Sequence, residues 1–163
     1  MANRRVKWDE AATPAENAGR ELPLLVSAYF SEVRAFLADD PTPPQLHELR
    51  LASKRLRYTL ELFRPCYPAG LQDRIHALKK LQDWLGDVND AVASARLLAP
   101  ALKTRPKLRK FLEDRAARHA AGFVRHWNEI FDAPGREVWW MDFLAKPVTQ
   151  TKNIPKPIHS KHL

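Results

Sequence analysis

The amino-acid sequence predicts an all-α fold, a four-helix up-down bundle with flexible termini. Three observations predict it. Apolar residues recur at helical spacing through four long stretches. The 163 residues include only 5 Gly, and the 13 Pro cluster outside those stretches, as expected for helices punctuated by Pro-bearing loops. No segment alternates apolar and polar residues as a half-buried strand does.

Residues 1–15 read as a flexible N-terminal arm. The first helix is expected at about 16–38, where Leu22, Leu25, Tyr29, Val33, Phe36 and Leu37 recur on one side. Pro23 marks its true start or a kink. The loop DDPTPP follows at 39–44. Thr42 then offers an N-cap, Pro43 the first helical position and Gln45 the third, a capping-box signature for a second helix that runs to about Arg64. A third helix spans about Gly70–Leu98, with Leu71, Ile75, Leu78, Leu81, Leu85, Val88 and Val92 on its apolar side. Gly86 lies in its middle, at a cost of about 1 kcal/mol relative to Ala, which suggests a kink or a close backbone approach. Pro100 ends it. The fourth helix starts near Thr104 and Pro106 and reaches about Phe131, with Leu108, Phe111, Leu112, Arg115, His119, Phe123 and His126 on one broad side. The segment EVWWMDFL packs as a short helix. The bundle therefore occupies 16–145, and 146–163 read as a disordered basic tail.

Composition narrows the function. Net charge is +8. The tail from Lys146 carries +4 and residues 1–15 carry +1, which leaves +3 on the body. Local cation clusters on a nearly balanced body favour a defined anion site over a uniformly basic nucleic-acid binder. There is no apolar run of 18 residues and no signal-peptide core, so no membrane association and a cytoplasmic location are expected. A single cysteine, Cys66, excludes an internal disulfide and a cysteine metal cluster. The histidines share no ligand spacing, and metalloprotease, phosphate-loop and dinucleotide motifs are lacking. Enzyme chemistry, a cofactor and a metal are therefore not expected.

The second helix carries the strongest signal. His47, Arg50, Lys54, Arg57 and Arg64 follow one side, interrupted by Glu61, while Leu46, Leu49, Ala52, Leu56, Leu60 and Phe63 form the opposite side. The stripe extends about 25 Å. Its neighbouring like charges cost a helix roughly 0.2–0.5 kcal/mol per pair unless something compensates. Asp83, Asp87 and Asp90 on the third helix are the candidates for compensation, which would make the stripe an internally paired structural feature. Arg55 lies roughly opposite the stripe's centre line, flanked by Tyr58 and Leu62 on a smaller apolar strip. Lys79 shares a side of the third helix with Gly86 and Asp90. A second basic concentration, Lys103 to Arg118, amounts to +5, and Lys107, Arg118 and Arg125 line up on the fourth helix. A solvated face is the plainer reading for most of these. Nucleic-acid binding is the alternative that the basic arms and Trp-rich end allow, but no aromatic stacking platform interleaves with the stripe.

Two segments carry a family resemblance. His47, Leu49, Arg50, Lys54, Arg55, Leu56, Arg57, Tyr58 and Glu61 form the first. Leu81, Gln82, Leu85, Gly86, Asn89 and Asp90 form the second, within LKKLQDWLGDVNDAVASARLL. Together they resemble the two signatures of the CHAD family, the conserved histidine α-helical domain, over residues 43–98. The resemblance implies an all-α domain that binds inorganic polyphosphate through a basic groove, with association to polyphosphate granules in some members. It implies phosphate contacts from His47, Arg50, Lys54 and Arg57, with Arg55 part of the motif. Lys79, Arg64 and Arg118 complete the candidate set. Gln82, Gly86, Asn89 and Asp90 are expected to be structural. The family usually pairs two such bundles across the basic cavity and this chain shows one signature pair, so a homodimer or a second CHAD-like half is the expected partner, or else the site is open and weaker.

Overall fold

The structure, a computed structural model, describes residues 6–39 and 42–148. Every regular element among them is helical: α1 Pro14–Ala38, α2 Pro43–Leu62, α3 Gly70–Leu97, α4 Ala99–Leu102, α5 Pro106–His126 and α6 Arg136–Leu144. The all-α expectation therefore holds, with six α-helices in place of four long ones and a short end piece. A 3-10 turn at Arg64–Cys66 follows α2 and a π-helical turn at Trp127–Phe131 follows α5. Arg64 thus stands past the end of α2 rather than on it. Pro100 sits inside the short α4 rather than ending α3.

Local chemistry sets these boundaries. Thr13 caps α1: the Thr13 N–H donates to Glu16 Oε2 at 2.7 Å, and the Glu16 N–H donates to Thr13 Oγ1 at 3.2 Å. The Thr13 N–H, and next the Thr13 hydroxyl, donate to the Glu16 carboxylate and hold its carboxyl below the usual range. The helix thus begins earlier than expected, and Pro23 lies inside it. At α2 the Thr42 N–H donates to Gln45 Oε1 at 2.8 Å, which fits the expected capping box. Of the expected N-terminal arm, residues 6–13 lie against α1. The Asn17 side chain donates to the Asp9 and Ala12 carbonyls, the Lys7 N–H donates to Glu21, and Trp8 stacks on Phe63. The expected tail lies outside the described residues from 149 onward. Its first part is pinned, because the Val148 N–H donates to the Cys66 carbonyl at 2.9 Å.

Helix pairs run antiparallel along a layered core. α2 packs on α3, α3 on α5, and α1 on both α2 and α6. Tyr29, Phe30, Trp127, Phe131 and Trp140 form an aromatic centre, with the Trp127 and Phe131 rings stacked 5.2 Å apart. Arg74 joins α3 to α6 as a buried cation. Its guanidinium lies 3.4 Å from the Trp139 ring centroid and 3.7 Å from that of Phe143, and it donates to the Gly70 and Trp139 carbonyls. Ring faces and carbonyl oxygens replace water around it. Sequence reasoning did not single out Arg74. On α5 the buried positions are Leu112, Gly122, Phe123 and His126. Phe111, expected on the packed side, is 55% exposed.

His126 carries the clearest pH dependence in this core. Burial holds its imidazole below the usual histidine range of about 6.5, with a weaker opposing contribution from its hydrogen bond to the Ala77 carbonyl; Lys80 lowers it further and Glu129 raises it. The unfolded chain therefore binds a proton more readily than the folded one, so stability is full above about pH 6.5 and falls as pH drops toward the lowered folded value. Urea unfolding from pH 7.5 to 5 is expected to show this decline, and His126→Asn is expected to flatten it.

Candidate functional site

The register of α2 against α3 is set by a polar relay across three helices. Ser53 Oγ donates to the Leu49 carbonyl at 2.8 Å, so the Tyr29 hydroxyl is the donor in its 2.7 Å bond to Ser53. Gln82 Nε2 donates to the Ser53 carbonyl at 2.8 Å, and Gln82 Oε1 accepts from Arg57 Nε at 3.0 Å. Ser53 is fully buried and Gln82 nearly so. In the antiparallel register that follows, Arg50 lies over Gly86, and His47 lies in an open cleft with Pro44, Asn89, Val92, Ala93 and Arg96. At the opposite end Arg64 lines a second open cleft with Glu61, Leu62, Pro65, Gln72 and Ile75. The seam between α2 and α3 thus runs from His47 to Arg64.

The cations along it differ in their partners. Arg57 is fully engaged: besides Gln82, its Nη1 meets Glu61 Oε1 at 2.6 Å, and its guanidinium lies 4.4 Å from the Tyr58 ring centroid. Arg50 and Lys54 are half-buried, and among the described residues neither has an ion pair within 4.0 Å. Arg50 Nε is buried with no hydrogen-bond partner. The compensation considered for Asp83, Asp87 and Asp90 is not formed: Asp87 turns to α5, its Oδ2 3.3 Å from His119 Nδ1, and neither Asp83 nor Asp90 pairs with the stripe. The reason is geometric. Gln82 and Asn89 occupy the side of α3 that meets α2, and the three aspartates lie further round the helix.

The other expected residues are distributed unevenly. Lys79 is exposed on α3, two turns before Gly86 and on the same face. Arg55 is exposed and sits about 100° round α2 from Lys54. Arg118 is not brought to the seam. It stands exposed on α5, which packs on the flank of α3 that Trp84 and Asp87 define, through Gly122 and His119. The rest of the α5 basic face is exposed, with Arg109–Glu113 and Lys110–Asp114 paired along the helix at 3.9 and 3.4 Å. Such exposed pairs contribute little to stability. Arg96 was missed by sequence reasoning. Its seven-residue spacing from Asn89 is the signal that places it on the same face. No group of three or more histidine, cysteine, aspartate or glutamate side chains able to hold a metal occurs among the described residues, and no helix among them is long and apolar enough to cross a membrane.

The chain belongs to the CHAD family: the CHAD domain model matches residues 3–99, more than half of the sequence. The match takes in α1, α2 and α3 and therefore the whole seam, while α5 with Arg118 falls beyond it. No curated protein and no solved structure matches the chain.

Gln82, expected to be structural, links α3 to α2 through both ends of its amide. Gln82→Leu removes the amide donor to the Ser53 carbonyl and leaves the part-buried Arg57 Nε without its acceptor. It is expected to cost roughly 1–3 kcal/mol in urea unfolding, and to change the amide hydrogen exchange of α2 and α3 more than that of α6.

Proposed function

We propose that this protein is a non-enzymatic binding module for inorganic polyphosphate, held along the α2–α3 seam by His47, Arg50, Lys54 and Arg57, with Arg64 and Lys79 at its edges. Membership of the CHAD family supports the ligand class. The observation that carries the site is the pair of unneutralised cations, Arg50 and Lys54, half-buried in a seam whose nearest carboxylates are engaged elsewhere or turned outward. Half-burial lowers the effective dielectric around these charges and strengthens their attraction for an anion. A phosphate chain supplies negative charge at short regular intervals, and Arg and Lys donors replace its counterions. Affinity then falls with salt as it does for other polyanions.

We place Arg118 and Arg55 outside this site. We read α1, α2, α3 and α5 as the long members of one four-helix up-down repeat, supported by the antiparallel pairs described above. The seam is one open wall, and a homodimer closing around the polyanion is the arrangement we propose for the second. Leu62 and Tyr58, 74% and 54% exposed beside the stripe, are the apolar surface available for it. A cytoplasmic protein drawn to polyphosphate granules is the corresponding cellular setting.

Calorimetric titration with long-chain polyphosphate tests the site. Arg50→Glu with Lys54→Glu is expected to weaken binding by about a hundredfold or more at low salt, while Lys107→Glu with Arg115→Glu on α5 changes it little. Equal binding by the seam variant and the wild type contradicts the assignment.

A further inference from the structure

Gly86 is the one glycine here that no structural constraint accounts for. A Cβ added at Gly19, Gly70 or Gly122 would meet Pro147 at 2.9 Å, Phe143 at 3.1 Å or Trp84 at 2.6 Å, and Gly135 holds a φ of 77°. A Cβ at Gly86 would meet only Arg50 Nε, at 3.8 Å, an ordinary van der Waals contact. The φ of Gly86 is not positive. Neither crowding nor backbone conformation therefore demands glycine in the middle of α3, where alanine is the better helix former.

What Gly86 leaves is bare helix backbone beside the buried, unpartnered Nε of Arg50. Along the same face of α3, Asn89 and Arg96 continue this floor into the cleft that His47 completes. Arg96 forms no ion pair among the described residues. Asp83 and Asp90, both exposed, border Gly86 on the side away from α2.

We propose that Gly86 is a clearance position, the floor on which the polyanion lies, and that Asn89 and Arg96 form its second wall within the same chain. The proposal rests on the polyphosphate reading above and changes the assignment of α3 from structural support to part of the binding surface. A phosphate chain passing beside Gly86 meets the half-buried Arg50 side chain that lies over it. A methyl group at position 86 narrows that approach and meets only an ordinary van der Waals contact. Arg96 supplies a further cation beyond the α2 stripe, and the negative charges of Asp83 and Asp90 confine the chain to the side nearer α2.

The test compares the wild type, Gly86→Ala, Gly86→Leu and Arg96→Gln in calorimetric titrations with long-chain polyphosphate, alongside thermal melts. Gly86→Ala is expected to raise the melting temperature by about 2–4 °C and yet weaken binding. Gly86→Leu is expected to weaken binding by about tenfold or more. Arg96→Gln is expected to reduce the slope of log affinity against log salt by about one. Should Gly86→Leu fail to fold, Gly86→Ala and Arg96→Gln decide. Wild-type binding by the Gly86 and Arg96 variants, with binding still lost in Arg50→Glu/Lys54→Glu, overturns this inference alone. No binding by the wild type overturns the polyphosphate reading and this inference with it.

Discussion

Gln82 occupies the point where α1, α2 and α3 meet, and its amide has two tasks that no apolar side chain could perform. It donates to the Ser53 carbonyl and accepts from Arg57, while Ser53 holds Tyr29 of α1. Hydrophobic packing alone tolerates small slides of one helix along another, because ridges fit grooves in more than one register. Buried hydrogen bonds do not, since a slide of one turn leaves the Gln82 amide without its donor and acceptor partners, at a cost of about 1–3 kcal/mol per buried group. The relay therefore fixes which residues of α3 face which residues of α2. It places Arg50 over Gly86 and His47 beside Asn89 and Arg96, and the electrostatics of the seam follow from that register.

Where the neutralising groups fall decides what the stripe can do. The seam concentrates cations that repel one another along α2, and a fold selected for stability alone would place acids opposite them. Here Arg57 has Glu61 and Gln82, but Arg50 and Lys54 are left without carboxylates, while Asp87 faces His119 on α5. The second basic concentration behaves differently. Two of its pairs close on themselves one turn apart and remain exposed, as expected of an ordinary charged helix surface. The proposed site rests on the contrast between these two regions rather than on the net charge of +8.

Much of this was legible in the sequence because it rests on periodicity. The long helices, the capping box at Thr42 and the cationic side of α2 are local patterns. The elements that were not legible depend on tertiary contact. Arg74 reads as one more surface cation until α6 folds over it and two aromatic rings enclose it. Phe111 shares the apolar side of α5 but lies where little of the core reaches, so the spacing overstated its burial. Arg118 shares the basic character of the stripe, yet α3 stands between α5 and the seam. Whether Asp83, Asp87 and Asp90 would neutralise the stripe could not be settled by spacing, since a rotation of α3 by one residue changes the answer. Arg96 was legible too, because its interval from Asn89 is a heptad step.

The most direct measurement of the central claim is a crystal structure of the full chain with a short polyphosphate of defined length. The predicted result is a chain of phosphate density lying in the seam between α2 and α3, over the backbone at Gly86, with the Arg50 guanidinium and Lys54 Nζ within hydrogen-bond distance of phosphate oxygens. Density seated instead on the basic face of α5, with the seam unchanged and Arg50 still unpartnered, would contradict it.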